Sequence, residues 1–324
     1  GDSRHFSRML EVPLIEPGDF QEAKDMTKWA FELSEELRCP VMLRSVTRLS
    51  HASSNVIFGD LPETNHKARF RHEGFILDPD EGMISSAPVT YRHGQQQEKL
   101  QKAIELFETS PFNTYTGPEN PELLLITSSA CNLYSKEAIR LLAVGDRVGL
   151  LKLGTTWPLP PKLLQKYLAT ADNILIVEEV IPFLEENVKI LAAEMAAEIG
   201  IKKFYGKRDG SIPSVDEMNP DLVVTAVAKI LGLGYEGVSA SYTEKALPLS
   251  FLNAPVRDLT FCPGCPHRAS FWNIRNVLKK DNREGFVCGD IGCYSMAMLP
   301  TGFSTTKTMH AMGSGTGVAS GFGQ

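Results

Sequence analysis

The chain has 324 residues, a formal net charge of −6 and six cysteines, long enough for two or three domains that each bury a core. It contains no long block of like charge, no apolar run of bilayer-spanning length and no basic-then-apolar leader pattern. These features argue against nucleic acid or membrane as partners and set the expectation of a cytoplasmic protein that binds small molecules and other proteins.

Val12-Pro13-Leu14-Ile15 is a short apolar run closed by the Pro17-Gly18 turn. Asp19 with Glu22 has the form of a helix cap, and Ala23, Met26, Ala30, Leu33 and Leu37 recur at spacings of three and four, which predicts an amphipathic helix to about Arg38. Pro40 then precedes a second strand candidate, Val41-Met42-Leu43. Strand, helix, strand is half of a parallel α/β layer, so residues 1–50 read as the tail of a larger domain. Arg44, Ser45, Thr47, Arg48, Ser50 and His51 follow the strand at the end where open α/β sheets bind ligands. A solvated loop and a ligand contact are both compatible with them.

Residues 52–95 are weakly patterned, with short strands expected at 74–77 and 87–91, and Leu100, Ala103, Ile104 and Phe107 then mark a helix. Strands at 123–127, 148–153 and 174–178 alternate with helices at 135–142, 161–168 and 183–199, and a short strand follows at 203–205. Continuous apolar strands between helices predict a parallel sheet covered on both faces, in a domain of about 115–235. Thr155 to Pro161 reads as a rigid turn. Glu178-Glu179 at the end of a buried strand requires partners, either the next helix's amides or another segment. No nucleophile with its base and no GxxxxGK phosphate loop occurs in this domain.

Chemistry concentrates in residues 261–323. A CxxC pair, Cys262 and Cys265, joins Cys288 and Cys293 to give the count for a four-thiolate site, although the spacing is not that of a zinc ribbon. Zinc, an iron-sulfur cluster, and packed or catalytic thiols all stay open; Cys39 and Cys131 read as packed thiols. Phe286-Val287-Cys288 reads as a strand running into Gly289-Asp290-Ile291-Gly292, where glycine lets backbone donors approach an anion. Met312 to Gly321 is a small-residue run suited to a helix in close contact with a ligand or another backbone.

FCPGCPHR, GDIGCY and MGSGTGVASG resemble the start of the thiamine diphosphate-binding domain in the alpha subunits of the indolepyruvate:ferredoxin oxidoreductases, members of the 2-oxoacid:ferredoxin oxidoreductase family. Upstream, LLLITSSACNLYSKEA, VGLLKLGTTWPLPP, ILIVEEVIPFLEENV and YGKRDGSIPSVDEMNP resemble that family's transketolase-carboxyl-terminal-like domain, and DSRHF with MLRSVTRLSH the end of its pyrimidine domain. The resemblance implies an α/β, multi-domain protein with parallel sheets and helices on both faces. Its segments would be 1–50 (pyrimidine-binding, carboxyl-terminal part), 51–114 (linker), 115–235 (transketolase-like), 236–258 (linker) and 259–324 (thiamine diphosphate-binding, amino-terminal part).

By the same resemblance, the activity would be ferredoxin-dependent oxidative decarboxylation of aryl 2-oxoacids to acyl-coenzyme A, with a smaller beta subunit as partner and oligomerisation expected. Cofactors would be thiamine diphosphate, Mg2+ and 4Fe-4S clusters, the last mostly held outside this chain. Gly289, Asp290, Ile291, Gly292, Cys293, Met312 and Gly313 would bind the cofactor, His267 and Arg268 would border the reacting carbon, and Cys262, Cys265 and Cys293 would match ligands of a proximal cluster. After Asp290 there is no asparagine, so the usual magnesium motif is missing. A fragment of a roughly twofold longer subunit, inactive by itself, is therefore expected. Two other readings are a non-oxidative thiamine enzyme of decarboxylase or transketolase type, which has no need of the cysteine group, and a non-catalytic scaffold with structural zinc.

Overall fold

A computed structural model describes residues 2–60, 89–254, 258–282 and 285–323. It divides into two compact units, residues 1–237 and 238–324. The strand expected at 74–77 lies outside the described residues.

The first unit is built on a five-stranded sheet in the order β3-β5-β4-β7-β8. The strands are β3 (Thr114–Thr116), β4 (Leu123–Ser128), β5 (Val148–Leu153), β7 (Asn173–Val177) and β8 (Lys203–Tyr205). All neighbours are parallel except β3, which runs antiparallel to β5 at one edge. Because side chains alternate along a strand, Leu123 and Leu125 enter a core with α5 (Cys131–Leu141) and α9 (Pro220–Leu231). Leu124 and Ile126 enter the opposite core, with α6 (Pro161–Leu168) and α7 (Phe183–Glu194). Burial on both faces is the reason these strands read as continuous apolar runs. The helix expected over 183–199 is two: Met195, at φ −97° and ψ 8°, separates α7 from α8 (Ala196–Ile199).

The segment before this sheet holds α1 (Arg4–Leu10), β1 (Leu14–Ile15), α2 (Phe20–Leu37), β2 (Met42–Leu43), α3 (Thr47–His51) and α4 (Val89–Glu108). Asp19 caps α2 by accepting from the Glu22 amide at 2.9 Å, and the Glu22 carboxylate takes the Gly18 amide at 2.7 Å. Met26, Leu33 and Leu37 of α2 pack with Ala103 and Phe107 of α4 in a third core. Two expectations are corrected here. Val89–Tyr91 is the first turn of α4 and not a strand. Thr155–Trp157 is not a turn but strand β6, antiparallel to β1, which also pairs in parallel with β2. Through β6 the segment and the large sheet form one body.

In the second unit, α10 (Ala240–Asn253), α11 (Pro266–Asp281) and α12 (Ser314–Phe322) accompany two 3-10 turns, Cys293–Met298 and Pro300–Gly302. The strand expected at 286–288 is reduced to a single parallel bridge between Cys288 and Thr308. Among the described residues no helix is long and apolar enough to cross a membrane.

The Asp19 cap yields a direct check. Asp19→Ala leaves the Glu22 amide without its acceptor, and urea unfolding is expected to show a loss of about 1 kcal/mol.

Candidate functional site

Two places gather polar chemistry, one in each unit. In the second unit, Gly289 donates its amide to Thr308 O at 2.8 Å, and a Cβ on it would lie 2.3 Å from Thr306 Cγ2. Only glycine fits there without displacement. The next residue, Asp290, organises the loop. Its Oδ1 accepts from the amides of Ile291 (2.7 Å) and Gly313 (2.8 Å), and its Oδ2 from that of Gly315 (3.0 Å). Hydrogen bonds from Gly315, Ile291 and Gly313 hold the carboxyl below the ordinary aspartate range. Asp290 thus joins GDIGCY to the start of α12, where a carboxylate is favoured by the helix dipole.

Gly313, at φ +85°, turns the chain into α12, and a Cβ on Gly315 would meet Gly289 O at 3.0 Å. The hydroxyls of Thr306, Thr308 and Ser314 are buried and have no hydrogen-bond partner among the described residues. Ile291, Cys293 and Met312 are exposed around this loop.

CPGCPHR meets GDIGCY through aromatic contacts. The His267 ring stacks on the buried Phe261 with centroids 6.2 Å apart and lies 5.9 Å from Tyr294. Its Nδ1 is 3.4 Å from Cys265 Sγ. Arg268 is exposed. Cys262, Cys265 and Cys293 do not form a ligand set: among the described residues no three His, Cys, Asp or Glu side chains are grouped to hold a metal. Both oxygens of Asp290 accept backbone amides.

In the first unit, a cleft of about 730 Å³ lies where β2 and β7 end, lined by Arg44, Ser45, Thr47, Arg48, Glu179 and Glu217, among others. Arg48 reaches Glu217 at 2.8 Å, and Arg44 reaches Glu16 at 2.5 Å. Of the polar residues flagged after β2, Ser50 and His51 are not in the lining. Behind the cleft is a network that sequence reasoning located by only one end. Glu178 caps α7 by accepting from the Leu184 and Glu185 amides, both at 2.8 Å, and also receives Arg4 at 2.7 Å. Arg4, fully buried, further donates to Asp2 and to the carbonyls of Glu179 and Ile181. The signal for Arg4 was indirect: Glu178-Glu179 required partners in the next helix or another segment, and Glu178 has both, the second 174 residues away.

Burial pushes the Glu178 carboxyl up to about 7, outweighing Arg4 and the two amides. Its folded state therefore holds a proton that the unfolded state releases near the ordinary glutamate value of 4.5. The resulting stability is complete below that value and is lost as pH rises through about 7. Unfolding monitored between those limits is expected to show this decline, and Glu178→Gln to flatten it. For Asp290 the sign is opposite, since a lowered carboxyl stabilises above its unfolded value and loses that effect in acid. Asp290→Asn is expected to accelerate hydrogen exchange at the Gly313 and Gly315 amides at neutral pH, while protection in β4 stays the same.

No family model matches the chain. Among curated proteins, the indolepyruvate oxidoreductase subunit IorA of Pyrococcus horikoshii is 37% identical over 320 residues, covering 99% of this chain and 48% of that protein. IorA of Thermococcus kodakarensis is 38% identical with the same coverage. Among solved structures, a 2-oxoglutarate:ferredoxin oxidoreductase from Magnetococcus marinus overlays 67% of this chain and 42% of its own with a TM-score of 0.44 and 16% identity. The chain spans about half the length of the curated relatives it matches. It is thus related, over 99% of its own length, to about half of the indolepyruvate oxidoreductase subunit IorA.

Proposed function

We propose that this chain is part of the larger subunit of a thiamine diphosphate-dependent oxidoreductase. The enzyme would oxidatively decarboxylate aryl 2-oxoacids such as indolepyruvate, form the acyl-coenzyme A and deliver two electrons to ferredoxin. The observation that carries the proposal is identity above 35% to two IorA proteins along nearly the whole chain. The cofactor would supply the carbanion chemistry of decarboxylation, while the protein positions it.

The residues of the second unit fit that role in part. Gly289 to Cys293, with Met312 and Gly313, form a glycine-lined surface that a flat or anionic group can approach closely, and the unpartnered Ser314 hydroxyl begins the adjoining helix. Asp290 does not contact the ligand in this reading; it fixes the loop that does. His267 and Arg268 would face the substrate, with His267 held by Phe261 and Tyr294. Magnesium is assigned no ligand in these loops. Iron-sulfur centres that pass electrons to ferredoxin, and the site for a smaller beta subunit, are assigned to the length of the relatives that this chain does not span.

The test is calorimetric titration of thiamine diphosphate with Mg2+ into the complete subunit paired with its smaller partner, followed by dye reduction with indolepyruvate and coenzyme A. Saturable binding and substrate-dependent reduction are expected. Failure to bind thiamine diphosphate, or reduction with 2-oxoglutarate but with no aryl 2-oxoacid, would overturn the reading.

A further inference from the structure

We infer that the cleft at the ends of β2 and β7 binds a small zwitterion, an α-amino acid with an apolar side chain. The ion pair of Arg48 with Glu217, at 2.8 Å, is shared between two cavities. One is the cleft of about 730 Å³, and the other, of about 430 Å³, adds Pro213, Asn219 and Leu222 to the lining. Arg48, Val215, Asp216 and Glu217 line both, so the pair stands where the two cavities adjoin.

The two charges sit on fixed backbone, yet their side chains are free to part. Arg48 comes from α3, whose next residue, Leu49, is buried in the core with α5 and α9. Its guanidinium also lies 5.8 Å from the centre of the Tyr134 ring, a contact that does not require Glu217. Glu217 precedes the buried Met218, whose amide donates to Glu179 Oε2 at 3.3 Å. The paired side chains themselves are 48% and 53% exposed, and a pair so exposed contributes little to stability. Parting them leaves a cation and an anion on facing segments. A zwitterion fits between them, because the planar guanidinium donates two parallel hydrogen bonds to its carboxylate while its ammonium donates to Glu217. One exposed ion pair is exchanged for two, whereas a ligand with a single charge would leave Arg48 or Glu217 without its partner.

Apolar surface on the same walls selects the side chain. Val180 sits at φ +64°, which a β-branched residue rarely adopts, and Asp216 at φ +77°. Val180 is held from behind, since the buried Arg4 donates to the carbonyls on either side of it, Glu179 O at 2.7 Å and Ile181 O at 2.8 Å. The outcome is a valine 41% exposed in the lining of the cleft, together with Val215 at 78%. Pro213 and Leu222 continue this apolar lining in the smaller cavity. Backbone held in so sparsely populated a conformation clusters at ligand sites, and here it presents apolar groups beside the two charges.

The chain is titrated by calorimetry with L-phenylalanine and L-leucine, and separately with phenylpyruvate, which lacks the ammonium, phenethylamine, which lacks the carboxylate, and inorganic phosphate. Saturable binding of at least one amino acid at a single site is expected, with the other three probes about tenfold weaker or more, the loss of one charge-assisted contact. Arg48→Met and Glu217→Gln, each checked for an unchanged melting temperature, are expected to weaken the amino acid about tenfold. Glu217→Gln is further expected to abolish the preference over phenylpyruvate. No saturable binding of either amino acid, binding of phenylpyruvate, phenethylamine or phosphate as tight as theirs, or affinity unchanged by both substitutions would each overturn the inference. The titrations contain no thiamine diphosphate, so this inference and the function proposed above fail independently.

Discussion

The buried contact between Arg4 and Glu178 is the constraint on which the first unit depends. A carboxylate at the end of a central parallel strand is costly to bury, and here it is satisfied from two sides, by the amides that open α7 and by a guanidinium from the chain's first helix. Removing Arg4 would leave the Glu178 carboxyl without its side-chain donor, and burial would favour its neutral form still more. The position of α1, and with it Asp2 and Arg44, is therefore coupled to the strand end. Arg44 extends the same network through Asp2 and Glu16 to the rim of the cleft.

The second unit solves a similar problem with backbone rather than side-chain donors. Asp290 accepts three amides from two separate stretches of sequence, so loops 23 to 25 residues apart act as one surface. Glycine at 289 and 315 is what allows the approach, because a side chain at either would meet neighbouring atoms at 3.0 Å or less. Asp290 is thus a fastener between the two loops.

Where residues reported their own environment, the sequence was readable. The strands of the large sheet stood out because both faces are buried, and the Asp19–Glu22 cap because its spacing is local. In the structure His267 lies beside Tyr294, and Asp290 accepts from the Gly313 amide. What escaped depended on distant partners. Strand β6 is three residues followed by prolines and exists because β1 pairs with it. Val89–Tyr91 has a β-like composition, yet it continues a helix whose later turns pack on α2. The four-cysteine count could not reveal that Cys262 and Cys265 share a turn while Cys293 belongs to another loop.

The edges of the large sheet carry a consequence for behaviour at high concentration. Both outer strands, β3 and β8, are only three residues long. The first reverses direction relative to its neighbour, and the second begins with an exposed lysine. Short, charged or reversed edges offer few unpaired amides in register for another chain. The most apolar strands, β4 and β7, are interior and become available to other molecules only when the sheet opens. Self-association through this sheet should therefore track unfolding, and protein handled well below its melting temperature should stay free of cross-strand aggregates.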